Sequence, residues 1–203
     1  MKRLAADAAM LGIELSRAQI RRFRQYETLL RERAIPLGIV ARSDSDRVYA
    51  RHVLDSLRAA PLFRITDRLA YDLGSGAGLP GIPLAIAVPG ARFTLAESRS
   101  KRVAFLELVL EELGLSNVHV HAGAAEKLEA GADVVTARAF APLEEAWPLA
   151  ASLLRKGGRL IYFAGGAHGD PERNAREVTG PHRSVRVEKV LETSSPLVMM
   201  TLE

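Results

Sequence analysis

The chain has 203 residues, 48% of them hydrophobic and 26% charged, a length for one sizeable α/β domain plus an accessory segment and a composition that excludes a disordered or fibrous protein. It has no cysteine, which excludes disulfides, thiolate metal sites and cysteine nucleophiles, and no run of about 18 uncharged apolar residues that would read as a membrane span. The net charge of +4 is unevenly placed: residues 1–60 hold 12 Lys/Arg against 7 Asp/Glu and the remainder 16 against 17, so the cationic excess is N-terminal, where it suits a polyanionic partner or a solvated helix face.

In chain order, MKRLAADAAMLGIELSR has a signal-like start, but Asp7 and Glu14 interrupt its apolar stretch, and a cytoplasmic protein is expected. LSRAQIRRFRQYETLLRERA has Ser16 as N-cap and Ile20, Phe23, Leu30 and Ala34 along one stripe, which predicts an amphipathic helix ended by Pro36 and Gly38. ARSDSDRVY reads as a loop leading into a second helix, DRVYARHVLDSLRAA, closed by Pro61. Residues 1–60 are therefore expected to form a basic helical cap and residues 61–203 one compact unit.

From about residue 68 short apolar runs alternate with helical patterns. RLAYDL, RFTLAE, NVHVH, ADVVTARA and GRLIYFAG read as strands; GIPLAIAV, SKRVAFLELVLEELG with Gly114 as its stop, and LEEAWPLAASLL read as helices. Such alternation predicts a parallel, doubly wound sheet. At the end, HRSVRVEKVLE and LVMMTLE are joined by TSSP without room for a helix, which predicts a closing antiparallel hairpin. The expected fold is α/β: a Rossmann-like, mostly parallel sheet of the class I S-adenosylmethionine-dependent methyltransferase type, ending in an antiparallel hairpin and preceded by the helical cap.

The stretch DLGSGAGLPGIP satisfies two fingerprints. Gly76, Gly78 and Gly81 fit G-x-G-x-x-G, with Glu97 where a ribose-binding carboxylate belongs, the dinucleotide pattern. Asp72, Gly74, Gly76 and Gly78 also fit acidic-x-G-x-G-x-G, the methyltransferase form. Pro80 and Pro83 belong in a first helical turn, so the helix is expected to start near residue 80 with Gly81 in its first turn, not deeper, where a dinucleotide glycine packs on the strand. S-adenosylmethionine is the favoured ligand. Asp72 would then anchor the loop or the ligand's ammonium end, Glu97 would accept from the ribose hydroxyls, and Ala125 and Glu126 in GAAEKL would meet the adenine.

Methylation at pyrimidine C5 through a cysteine adduct is closed to this chain, and the Asn/Asp-Pro-Pro-aromatic tetrad used on exocyclic amines is replaced by TARAFAPL. Arg138 in that segment offers a fixed cation and planar donors near the transfer point; its structural alternative is a salt bridge at the sheet edge. A nitrogen with a free lone pair, such as guanine N7, needs no general base, and none is evident. His119 and His121 share a face without a third ligand, and GGAHGDP adds one histidine, so no metal is expected. Trp147 and Phe140 read as packing residues.

RHVLDSL, DLGSGAGLPGIPLAIAVPG, ESRSKRVAFL, AEKL and ARAFAPLEEAWPLAASLLRKGGRL occur in this order and spacing, and over residues 48–166 the chain resembles the bacterial glucose-inhibited division protein B family. The resemblance implies methyl transfer from S-adenosylmethionine to guanine N7 of small-subunit ribosomal RNA. It implies cofactor contacts at Gly74, Leu79, Ala125, Glu126 and Arg138, and places Arg51 and His52 beside the active site as substrate-binding residues. The chain departs from the family at Arg33-Ala34 for Trp-Asn, at Gly38-Ile39-Val40 for Asn-Leu-Thr, and at Ala164 for a lysine; Arg99, Lys101, Arg102 and the cap arginines are then expected to hold RNA phosphates. The expected partner is ribosomal RNA or the small subunit, for a monomer with no membrane. The rival readings are a non-catalytic RNA-binding protein with a vestigial cofactor pocket, a methyltransferase with a shifted acceptor, and a small oxidoreductase using the dinucleotide fingerprint.

Overall fold

The computed structural model describes residues 2–165, 171–179, 185–188 and 196–203. Seven strands form one sheet: β1 (Leu69–Leu73), β2 (Arg92–Glu97), β3 (Val118–Ala122), β4 (Ala132–Arg138), β5 (Leu154–Phe163), β6 (Val185–Glu188) and β7 (Leu197–Thr201). Their order is β3-β2-β1-β4-β5-β7-β6. The first five run parallel, and β7 lies antiparallel to both β5 and β6. The expected terminal hairpin is thus present, with its second strand inserted next to β5. TSSP falls outside the described residues except for Pro196, as does most of GGAHGDP.

The pattern of the strands explains their places. β4 is buried along Ala132 to Ala137 and β1 along Ala70 to Leu73, as central parallel strands covered on both faces must be. β3 lies at the edge and exposes His119. Helices α4 (Gly81–Ala87), α5 (Ser100–Leu113), α6 (Leu143–Leu153) and α7 (Pro171–Thr179) complete the layers. Gly114 stops α5 with a left-handed backbone, as predicted. α7 was not anticipated; Pro171 at its first position was the available signal, but Ala175 is its buried apolar anchor.

In the cap, Lys2–Met10 forms a helix, Arg17–Leu29 a second one, and the latter runs on through a π-helical turn, Leu30–Ala34. Ser16 caps the second helix with a reciprocal capping box to Gln19. The first of these helices was not read from sequence. It is held by tertiary contacts: Leu4, Ala8 and Leu11 are buried, and Asp7 accepts a hydrogen bond from the Tyr49 hydroxyl at 2.5 Å. The segment expected to be a loop followed by a regular helix is instead a 3-10 helix, Arg42–Arg47, a π-helical run, Val48–Leu54, and a short α-turn, Asp55–Leu57. This tight-then-wide backbone brings both Arg51 and His52 onto Asp44.

The cap does not stand apart. Phe23, Tyr26, Leu30, Val48 and Val53 share one buried cluster with Ala77, Ile82, Ile86, Leu95 and Phe105 of the sheet layer. At the opposite end, Arg159 and Asp67, each 1% exposed at the side chain, form a buried ion pair at 2.5 Å. Among the described residues no helix is long and apolar enough to cross a membrane.

Candidate cofactor and acceptor site

β1 stands between β2 and β4, and the chain leaves it toward β2 and β3 on one side and later returns to β4 and β5 on the other. The crevice above the C-terminal ends of β1 and β4 is the switch point where open α/β sheets bind ligands. The glycine loop lies there. Gly74, Gly76 and Gly78 all have left-handed backbones (φ +62°, +60° and +90°). At Gly74 a Cβ would also stand 2.6 Å from the Phe140 ring, so only glycine fits beneath that aromatic side chain.

Two carboxylates organise the loop. Asp72 is fully buried; Oδ2 accepts from the Gly81 N–H at 3.1 Å and Oδ1 from the Thr136 hydroxyl at 2.8 Å. Burial pushes its carboxyl up to about 6, opposed by those hydrogen bonds and Arg138. Of its two expected tasks, anchoring the loop is the one seen here. Gly81 is in the first turn of α4, as predicted, but it also packs tightly on the sheet: a Cβ would lie 2.3 Å from Leu95 Cδ2 and 2.7 Å from Asp72 Oδ2. Helix–strand packing by this glycine therefore does not separate the two fingerprints; the antiparallel β7 does.

Glu97, 4% exposed at the end of β2, accepts from the Gly76 N–H at 3.0 Å and from the Arg99 N–H at 2.9 Å, with Arg102 at 3.4 Å. Those contacts fix the carboxylate at the loop's rim. After β3, Gly123 donates to the Glu97 carbonyl at 3.0 Å and the chain makes a 3-10 turn, Ala125–Lys127. Ala125 is buried and Glu126 exposed. Leu79 is half-buried against the cap cluster. The Arg99 and Lys101 side chains are exposed beside this rim.

Arg138, at the end of β4, reaches the other way. Its guanidinium donates to Ser56 Oγ at 3.3 Å, the Arg51 carbonyl at 2.7 Å and His52 Nδ1 at 3.3 Å, and lies 3.4 Å from Asp55. The salt bridge considered as an alternative is present, but at the end of a central strand and within a larger set of contacts. A guanidinium has donors only, so His52 Nδ1 must accept, and its Nε2–H then donates to Asp44 Oδ2 at 3.1 Å. His52 is buried and held neutral: burial and Arg138 lower its pKa from 6.5, against the pull of Asp44. Arg51 is directed to Asp44 at 3.5 Å and keeps an exposed side chain. Next in the chain, Ala139 has φ +50°, the turn after which the Phe140 ring covers Gly74.

The structure thus gathers Gly76, Glu97, Arg99 and Arg102 at one end of the crevice and Arg51, His52 and Arg138 at the other. Asp55 and Ser56 were legible as part of RHVLDSL. Asp44 was not, because its segment read as a loop. Phe140 read as a packing residue and does pack, but over the ligand loop. Tyr26 of the cap, fully buried, donates to the Ala77 carbonyl at 2.9 Å and ties the cap to the loop. His121 lies 3.3 Å from the Ala124 carbonyl, and among the described residues no group of His, Cys, Asp and Glu is suited to hold a metal.

The residues fit S-adenosylmethionine: the loop backbone is open above Gly76, where a Cβ would meet nothing nearer than 3.8 Å, and the Glu97 carboxylate is fixed beside it at the end of β2. The crystal structure of M. jannaschii TYW2 in complex with AdoMet superposes with a TM-score of 0.58 at 16% identity, covering 74% of this chain and 74% of that one, a likeness of fold. The ribosomal RNA small subunit methyltransferase G of Ralstonia nicotianae is 39% identical over 171 residues, 80% of this chain and 77% of that protein. The protein of the same name from Sorangium cellulosum is 36% identical over 204 residues, 97% of this chain and 85% of that one. The profile of the family described as rRNA small subunit methyltransferase G matches residues 19–197, and the chain belongs to that family.

Proposed function

We propose that this S-adenosylmethionine-dependent methyltransferase places its methyl group on N7 of a guanine in small-subunit ribosomal RNA. The observation that carries the acceptor is the state of the potential bases at the crevice. His52 has both ring nitrogens engaged; Asp44, Asp55 and Glu97 are each paired with arginine or bonded to backbone N–H. An acceptor side with no free base among the described residues suits a nitrogen that already offers its lone pair.

The bound cofactor supplies an electrophilic methyl on a sulfonium. The chain's part is positioning and charge placement. Asp72 holds the loop to α4, Glu97 holds the ribose end, and Leu79, Ala125 and Glu126 line the cofactor. Arg138, with Nε–H not engaged by a described residue, presents a donor to the acceptor or to the cofactor carboxylate. Asp55 beside it offsets positive charge arriving on the base. Arg51, Arg99, Lys101 and Arg102 meet RNA phosphates, while His52 supports the acceptor side from behind Arg138. Residues 1–60 act as the RNA-facing cap, and the protein works as a cytoplasmic monomer.

The test is methyl transfer from labelled cofactor to small subunits and to naked ribosomal RNA from cells lacking this gene, with the nucleoside identified by mass spectrometry. 7-Methylguanosine is expected; cofactor binding without transfer to either substrate refutes the reading. That second outcome would favour a vestigial RNA-binding protein, for which Ala164, buried at the end of β5 where the resembled family carries lysine, is the specific support.

A further inference from the structure

A groove of about 470 Å³ runs between α5 and the end of the cap helix, lined by Arg33, Leu37, Lys101, Ala104, Phe105 and Leu108. The four α5 residues fall at i, i+3, i+4 and i+7, one face of a helix; Arg33 and Leu37 oppose them one turn apart. Lys101 is in the first turn of α5, directly after the rim formed by Glu97, so the groove opens at the same edge as the glycine loop.

Its chemistry is two-sided. Leu37 is 42% exposed, one of three large apolar side chains so open among the described residues, and Ala104 is exposed beside it. Phe105 is buried, which makes the floor mainly aliphatic. Neither the Arg33 guanidinium nor the Lys101 ammonium has a partner among the described residues. Several other cap cations are committed elsewhere; Arg24 and Arg42 are not, among the described residues, but neither lines this groove. Arg22 donates to the Leu113 and Gly114 carbonyls at the end of α5, Arg31 binds Glu27 and the Ser45 carbonyl, and Arg47 and Arg51 bind Asp44. Arg17 and Arg21 lie at the far end of their helix, where Gln19 bonds the Ile86 carbonyl at the end of α4. Sixteen residues at 1.5 Å put Arg17 about 24 Å from Arg33.

An apolar slot with two uncompensated cations on its rim complements a flat, weakly polar body flanked by anions. Resting on the RNA reading above, we propose that this groove binds an unpaired nucleotide of the substrate RNA, its base on Leu37, Ala104 and Leu108 and its flanking phosphates on Arg33 and Lys101. No lining side chain besides the two cations carries a hydrogen-bonding group, so the site accepts any base and contributes affinity and register, not sequence choice.

The test measures binding of a naked small-subunit ribosomal RNA transcript to the full chain across a salt series, with S-adenosylhomocysteine affinity as the control for folding. Arg33→Ala/Lys101→Ala is expected to lower affinity roughly tenfold and to flatten the plot of log K against log salt by about 1.4, two single-strand phosphate contacts. Leu37→Asn is expected to weaken binding several-fold with the slope unchanged. Arg64→Ala/Arg92→Ala, exposed outside the cap at the N-terminal ends of the strands, away from the crevice, is expected to leave both near wild type. Loss in the remote pair equal to that in the groove pair overturns the proposal in favour of diffuse charge. Unchanged RNA binding in both groove variants, with an altered oligomeric state, overturns it in favour of a protein contact. Methyl transfer by the wild type to naked RNA and to small subunits, followed in parallel, keeps the two readings apart: RNA binding without transfer to either substrate refutes the catalytic reading alone, and no RNA binding with transfer to small subunits refutes the groove alone.

Discussion

Replacing Asp72 with Asn removes a buried charge while keeping its shape. The folded state raises this carboxyl from 3.8 to about 6, and 1.36 kcal/mol per unit makes ionisation about 3 kcal/mol less favourable in the fold than in the unfolded chain. Because the folded form holds the proton more tightly, the stabilisation is complete below about pH 3.8 and is lost as pH rises through about 6. Asn does not titrate. Its amide oxygen takes the Gly81 N–H, and its NH₂ donates to Thr136 Oγ1, which still reaches the Tyr71 carbonyl at 3.3 Å. The stability advantage of Asp72→Asn over wild type should therefore grow by ~1.4 kcal/mol between about pH 5 and about pH 7.5. Urea unfolding followed by the single Trp147, 3% exposed, measures it. A difference that stays flat with pH would refute the assignment of a raised pKa to Asp72. Asp72→Ala strands two buried donors and should cost about 2 kcal/mol or more at every pH.

Arg138→Ala should lower turnover by about 10²- to 10³-fold, the scale of a lost transition-state donor; unchanged turnover together with unchanged cofactor affinity would remove the role given to Arg138. His52 must be neutral to accept from Arg138, so its contribution to stability is present above about pH 6.5 and lost as pH falls through its lowered pKa. Activity should drop over the same interval, whereas His52→Asn, with an oxygen in place of Nδ1, should remove that inflection from the pH–rate profile. Asp67→Ala leaves Arg159 buried without its counter-ion and should cost about 3–5 kcal/mol in denaturant titration. Gly81→Ala, with its Cβ 2.3 Å from Leu95 Cδ2, should cost about 1–3 kcal/mol through overpacking, and an undiminished melting temperature would contradict that contact.

Much of the architecture was written locally. Alternating apolar runs fix β1 to β5, Ser16 and Gly114 mark helix ends through their own backbone preferences, and the glycine spacing names a turn that other residues cannot make. Elements that owe their form to distant partners were not legible: the first cap helix depends on Leu4, Ala8 and Leu11 meeting the cap core, and the Arg42–Arg47 turn on Asp44 collecting Arg47, Arg51 and His52. The sequence by itself determined the strand–helix alternation, the loop, and Glu97 and Arg138 at strand ends. Only the tertiary structure decided what those groups do. It spent Asp72 on Gly81 and Thr136, set the tautomer of His52 between two charged side chains, and left Arg33 and Lys101 without partners among the described residues. Hydrogen-bond partners far apart in the chain are chosen by packing, and periodicity within a segment carries no information about them.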